Sequence, residues 1–287
     1  MRFTNEINDT DEINRRKNIV RDLWAGRKLD RIPVQLKVSK LKPLDSIREQ
    51  FLDSDKQLEV ALTNVKLTWE MLPDSDVIPA MRPDIGCSSL ATAFGAELFW
   101  GDDQNQTCGI KEHVIKNIND IYSLNMPDCY AGQLDEGIKR IAKFADAGEG
   151  LISISLLDIA GGLNVANDLL GSEQLYTAML DHPEELKILL NKIQDLFIKV
   201  IEIQIRAAGG EDAIATFDFP DIWFPEGKKG HVSDDISANI SPELYRTFCT
   251  DIHNRIFQRF GGGGLHNCGP NPCLKCYLEH TPAPRAI

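Results

Sequence analysis

The sequence predicts an α/β protein of the barrel class, and three observations carry the prediction. Amphipathic stretches with a helical period alternate with short apolar runs, the rhythm of βα units around a parallel sheet. The polar and charged residues that follow those runs stand where the loops at the C-terminal ends of barrel strands carry chemistry. A chain of 287 residues suffices for one barrel-sized core, and no internal repeat, low-complexity block or linker marks a second domain.

The elements follow in order. Residues 6–24 place Ile7, Ile13, Ile19, Val20, Leu23 and Trp24 among charges, the pattern of an initial amphipathic helix. Arg31 to Val38 reads as a first strand: Pro33 is tolerated at its start, and Val34, Leu36 and Val38 alternate with polar side chains. Ile47 to Met71 is helical in pattern, and the apolar centre of Asp76 to Met81 suits a second, buried strand. Arg82 to Leu124 predicts an elaborated loop with a hairpin around Phe94 to Gly109. Leu134 to Ala145 is a helix and Leu151 to Leu157 a third strand, followed by a loop and short helix through Gly161-Gly162 and Leu170-Gly171.

Pro183, Glu184 and Glu185 open a long helix, because proline suits the first turn and acids the positive end of the dipole. Gly209-Gly210 stops it. Ala213 to Phe217 makes a strand ending at Asp218, and a loop runs on to Asp235. Ser241-Pro242-Glu243 starts another helix that continues to about Phe260, before the glycine run Gly261 to Gly264 and a last strand. About five strands are recognisable where a closed barrel needs about eight. The expectation is therefore a single incomplete barrel-like domain over residues 1–287, its open edge covered by a partner or by a different local arrangement.

With 43 acidic against 31 basic residues the net charge is -12, which argues against a general nucleic-acid or anionic-membrane binder and favours small ligands. No apolar run is long enough for a membrane span and no signal peptide pattern opens the chain, so a cytoplasmic location is expected. Seven cysteines, an odd and scattered set, fit reduced thiols better than a disulfide framework.

The sharpest chemical clue is His266, Cys268, Cys273 and Cys276, an imidazole and three thiols within eleven residues, able to supply soft ligands to a zinc-like ion. His266 and Cys268 do not complete a tetrahedral site by themselves. Cys273 or Cys276 either supplies a further ligand or is a reduced thiol of the tail. Asp76 and Asp218 stand at strand ends as candidate catalytic carboxylates, or as loop and turn acceptors. Arg82 and Glu97 belong to an early substrate-binding loop, and Asp158, Asn164, Asn167 and Asp221 are candidates for the same pocket, although Asx residues are also common turn formers. Trp223, Phe224, Lys228, Lys229 and His231 form either a face for a bulky cofactor or partner, or a solvated loop with aromatic anchors. The glycines at 261–264 precede a strand instead of opening a helix and lack the lysine of a phosphate loop, so nucleotide chemistry is disfavoured.

Several segments in fixed order resemble one family. Arg31-Ile32-Pro33-Val34, Ser75-Asp76-Val77, Asp181-His182-Pro183-Glu184, Ser233-Asp234-Asp235, Ile240-Ser241-Pro242-Glu243 and His266-Asn267-Cys268-Gly269 together resemble the uroporphyrinogen decarboxylase superfamily, and within it the corrinoid-dependent methyltransferases, over roughly residues 15–270. The resemblance implies a TIM barrel of the (β/α)8 kind. It implies zinc held by His266 and Cys268 with a third cysteine from a later segment that this chain does not show, and methyl transfer between a corrinoid (cobalamin) protein and a small thiol or methylated substrate. It is compatible with homo-oligomers. For true decarboxylases the resemblance implies two arginines after the first strand, where this chain has Gln35-Leu36-Lys37-Val38-Ser39-Lys40. Tetrapyrrole decarboxylation is thus the second reading, and a catalytically degenerate binding or structural protein the third.

Overall fold

In the computed structural model of the protein, residues 9–38, 45–217 and 221–281 are described. Helix α1 (Thr10–Trp24) begins where Asp9 accepts a hydrogen bond from the Glu12 amide, and it buries Ile13, Arg16 and Val20. The Arg16 guanidinium donates to Val77 O and Pro73 O, each at 2.8 Å, and lies 4.3 Å over the Trp69 ring. A buried cation is thereby satisfied, and α1 is fixed against the chain that leads into the first strand.

The segment 31–38 is extended but forms no ladder among the described residues. Its amides bond instead to side chains, Leu36 N to Ser75 Oγ at 2.9 Å and Val38 N to Thr68 Oγ1 at 3.0 Å, while Asp76 N donates to Val34 O at 2.7 Å. The helix expected over 47–71 is two helices, α2 (Ile47–Leu52) and α3 (Ser54–Met71). Asp53 causes the break: it leaves helical geometry at φ -131° and ψ 107°, and its carboxylate caps the amides of Asp55 and Lys56.

Strand β1 (Ala80–Met81), helix α4 (Ser89–Ala93), the antiparallel hairpin β2 (Leu98–Phe99) and β3 (Gly109–Ile110), helix α5 (Leu134–Gly148) and strand β4 (Ser153–Ile154) follow. β1 and β4 are parallel, with Ala80 opposite Ser153. Ile154 bridges in parallel to Ile214, and Ala215 N to Ile154 O and Leu156 N to Thr216 O extend that contact. The runs expected as second, third and fourth strands therefore lie side by side, each with a shorter ladder than its apolar run.

Helices α6 (Gly162–Leu170), α7 (Ser172–Asp181) and α8 (Pro183–Ala207) come next. In α8 the apolar stripe Leu186, Leu189, Leu190, Ile193, Leu196, Phe197 and Val200 is fully buried. Each such side chain stabilises the fold by about 1.5–3 kcal/mol, an upper estimate for an extended reference chain. α7 has no counterpart in the sequence reading, because Gly171 cuts the pattern and only Leu175, Ala178 and Met179 are buried.

Strand β5 (Gly230–Ser233) stands where the sequence predicts a loop, and it pairs in parallel with β6 (Gly262–His266). A single aliphatic residue, Val232, hides its period-two pattern. Close approach of the chains here relies on glycine: Gly261 has φ +71°, and a Cβ on it would lie 2.1 Å from Gly227 O. The helix expected to end near Phe260 is divided at Cys249 into α9 (Pro242–Phe248) and α10 (Thr250–Phe260), and α11 (Leu274–His280) occupies the expected tail.

The result is a mixed α/β fold, rich in helix, with two parallel strand pairs and no closed barrel among the described residues. One large core joins α5, α6, α8 and α10, and a smaller cluster gathers Val20, Ile78, Ala80, Ala215 and Trp223. Among the described residues no helix is long and apolar enough to cross a membrane.

Candidate metal centre at the strand ends

The β5–β6 register sets Ser233 opposite His266, so the residues leaving the two strands emerge together. Asp234 N donates to His266 O at 2.9 Å, which locks the ends. Asp235 and Cys268 then meet: the Cys268 amide donates to Asp235 Oδ1 at 2.6 Å, and His266 Nε2 lies 3.4 Å from Cys268 Sγ. One ligand atom from each of Asp235, His266 and Cys268 lies within 4.8 Å of the other two. An imidazole, a thiol and a carboxylate at this spacing match a three-ligand site with an open fourth position.

The electrostatics favour a cation. A hydrogen bond with Asp235, then burial, then the charges of Asp235 and Asp158 raise the Cys268 thiol above its ordinary value. A thiol so placed stays protonated unless positive charge arrives. Asn164, on α6, steadies the carboxylate: its Nδ2 is 3.4 Å from Asp235 Oδ2, and its Oδ1 accepts from Ile236 N at 3.1 Å.

Of the other expected residues, Asp158 acts by its charge on Cys268 and His231 lies near His266, while Arg82 and Asp221 line a cavity. Arg82 follows β1, with NH1 3.9 Å from Asp158 Oδ2 and Nε 3.9 Å from Asp221 Oδ1. Asp221 also accepts from Lys37, at 3.2 Å to its carboxylate. Arg82 and Asp221 line a cavity of about 370 Å³ whose walls include Phe51, Trp69, Met81 and Trp100, within the size range of small-ligand sites. His231 is buried on β5, 6.2 Å from the Phe224 ring, and Nδ1 has no hydrogen-bond partner among the described residues. Burial first, and the nearby His266 second, hold its pKa down at about 3, so the imidazole is neutral.

Other expectations are corrected. Cys273 and Cys276 are buried away from His266, with thiols donating to Ile240 O at 3.3 Å and Pro242 O at 3.8 Å. α11 draws them into the core, and Asp235 is the residue whose ligand atom lies close to those of His266 and Cys268. Asp76, expected as a catalytic carboxylate, is fully buried and engaged by Arg31 at 2.5 and 2.7 Å and by Val34 N at 2.7 Å. It anchors the extended segment 31–38. The Arg31 guanidinium, then the Val34 amide against the effect of burial, keep its carboxyl below the usual range.

Glu97 pairs with Lys111 on the hairpin surface at 2.8 Å, and Asn167 accepts from Ser172 at a turn. Trp223 and Lys229 are buried, which rules out a solvated loop there; Lys229 Nζ donates to Glu211 O and Ile214 O. Asp218 lies outside the described residues. Asp235 is the candidate ligand that pattern reading missed, because the strand that delivers it was read as loop; its signal was the acidic pair Asp234-Asp235.

Fold and site together define an α/β protein that gathers a carboxylate, an imidazole and a thiol, a candidate set of metal ligands, at the C-terminal ends of two parallel strands. The sequence matches the family described as uroporphyrinogen decarboxylase (URO-D) over residues 20–281, and the chain belongs to that family. No curated protein matches the chain in sequence. Among solved structures, a methyltransferase from Methanosarcina mazei has the same fold at a TM-score of 0.71 and 15% identity, covering 92% of this chain and 72% of that one.

Proposed function

We propose that the chain is a zinc-dependent methyltransferase that passes a methyl group between a corrinoid protein and a small thiol or related acceptor. The observation that carries the proposal is the convergence of Asp235, His266 and Cys268, with mutually close ligand atoms, on the strand ends of a URO-D fold. The fold shared with the Methanosarcina mazei methyltransferase supports the reaction class. The finer fold reading, one TIM-barrel-like domain with the described parallel strands as successive barrel strands, is part of the same proposal.

Asp235, His266 and Cys268 would hold the ion, and their mixed oxygen, nitrogen and sulfur donors suit zinc. A bound zinc ion supplies Lewis-acid stabilisation of a thiolate at neutral pH. The chain's own groups do the rest. Asn164 holds the Asp235 carboxylate toward the other ligands. Arg82, set between Asp158 and Asp221, offers a cation for the polar end of a substrate, and the neighbouring cavity offers space for its body. His231, neutral and buried, presents an uncharged wall that leaves the positive charge of the site undivided.

The test is metal content of protein purified without chelator, beside a His266→Ala/Cys268→Ala variant whose folding is checked by circular dichroism. About one zinc per chain is expected, lost in the folded variant, together with thiol-dependent demethylation of methylcobalamin followed by its absorbance. Folded wild type without zinc, or activity that persists after verified zinc removal, refutes the proposal. Metal-free release of carbon dioxide from uroporphyrinogen would establish the decarboxylase reading in its place.

A further inference from the structure

Behind the centre lies a fully buried chain of polar groups that the proposed chemistry does not use. His253 on α10 bonds through Nε2 to Asp234 Oδ2 at 2.9 Å and through Nδ1 to the Tyr245 hydroxyl at 3.0 Å. Asp234 and His253 side chains are each 1% exposed. Asp234 Oδ1 has no partner among the described residues. Cys249 lies close enough to Asp234 and His253 to form a metal-like triad. The hydrogen bonds, however, occupy both ring nitrogens, so the cluster is a relay.

The imidazole is held on both sides, at Nε2 by the Asp234 carboxylate and at Nδ1 by the Tyr245 hydroxyl, so its ring cannot turn without breaking one of the two bonds. The same Asp234 donates its amide to His266 O, and its carbonyl accepts from Ser237 Oγ at 2.6 Å. One residue therefore ties together α10, the end of β6 and the turn that carries Asp235.

We infer that the Tyr245–His253–Asp234 relay is a positioning device for the metal centre, fixing Asp235 relative to His266 and Cys268. This rests on the metal-centre reading of the previous subsection. Metal ligands must be held within about 0.2 Å of their proper distances, and the turn at Asp235 is held through Asp234 and Asn164 as well as by Ile236, which packs against the core. Without the Tyr245 hydroxyl, Nδ1 loses its partner and the ring is held at Nε2 alone, which loosens its grip on Asp234.

The experiment compares wild type, Tyr245→Phe and His253→Gln in zinc affinity by competition with a chromophoric chelator, and in the thiolate-to-metal absorption of cobalt(II)-loaded protein. Ile193→Ala on α8 serves as a control that lowers stability without touching the relay. Folded Tyr245→Phe and His253→Gln should lose about 10–100-fold in zinc affinity and show an altered cobalt band, with Ile193→Ala unchanged in both. Equal affinity and an unchanged band in the relay variants overturn the inference and leave the metal centre standing. Relay variants that fail to fold also overturn it, since the relay would then be a folding element alone. A wild type that takes up neither metal overturns the metal centre and this inference with it.

Discussion

Gly264→Ala puts the packing behind the metal centre to a direct test. Gly264 lies on β6 opposite His231, and a Cβ there would lie 2.1 Å from His231 Cδ2, 3.0 Å from Cγ and 3.1 Å from Nε2. Carbon atoms in contact sit about 3.5 Å apart or more, so ring and strand must separate by roughly 1.4 Å. The ring cannot swing away freely: it is buried, with Phe224 stacked against it. Overpacking of this kind costs about 1–3 kcal/mol and occasionally more, and the rigid setting puts Gly264→Ala near about 3 kcal/mol. At about 2–4 °C per kcal/mol, the thermal midpoint should fall by at least about 6 °C. Gly269→Ala is the control, since nothing lies within 4 Å of a Cβ at that position, and its midpoint should stay within about 1 °C of wild type. Combining Gly264→Ala with His231→Ala should cost less than the two changes summed, because the clash disappears. Scanning fluorimetry of the five proteins, wild type and His231→Ala included, decides the matter. A Gly264→Ala midpoint equal to wild type, or strict additivity with His231→Ala, would refute the reasoning.

Asp76→Asn should lower stability, as loss of an anchor does, and leave zinc content unchanged, whereas a purely catalytic carboxylate would cost activity at full stability. The sign with pH is fixed by the direction of its shift. A folded-state pKa held below the unfolded value of about 3.9 contributes stability that is present above that value and lost as pH falls through the folded pKa. The gap in thermal midpoint between wild type and Asp76→Asn should therefore narrow on acidification, and a constant gap from pH 7 to 3 would contradict the anchor role. Cys273→Ser and Cys276→Ser should keep full zinc binding while losing stability, because each exchanges a large sulfur packed in the core for a smaller hydroxyl that is costlier to take out of water; loss of zinc from either folded variant would return these thiols to the ligand set.

Much of the fold was legible because single residues imposed it. Pro183 with two acids set the start of α8, and a repeating aliphatic stripe set its buried face. The hairpin and the parallel placement of the apolar runs at 76–81, 151–157 and 213–217 also followed from pattern. What stayed hidden was decided by tertiary contact. The segment 31–38 has strand alternation, yet Ser75, Asp76 and Thr68 side chains satisfy its amides in place of a neighbouring strand. Gly230-His231-Val232-Ser233 lacks alternation, yet becomes a strand because the glycines of β6 let it approach. In the candidate site, the closeness of His266 and Cys268 was legible from spacing alone. Asp235 was not, since it stands 31 residues before His266 and meets it only through the β5–β6 register.

The charge around the centre bears on which chemistry the family fold supports here. A decarboxylase acting on a polyanionic tetrapyrrole needs cations facing its pocket to hold the carboxylates. Here Arg31 is committed to Asp76, Lys37 to Asp221, and Arg82 stands between Asp158 and Asp221. Asp158 and Asp235 further add negative charge beside Cys268. Such an arrangement repels a polyanion and penalises a free thiolate, but it attracts a divalent cation, and a cation reverses the penalty on the thiolate. Among the described residues, this surplus of carboxylates beside paired cations supports the proposed metal-assisted reading over the decarboxylase one. Asp158→Asn separates the two readings: removing one carboxylate should weaken zinc binding at low salt, whereas a decarboxylase pocket relieved of a negative charge should gain affinity for uroporphyrinogen.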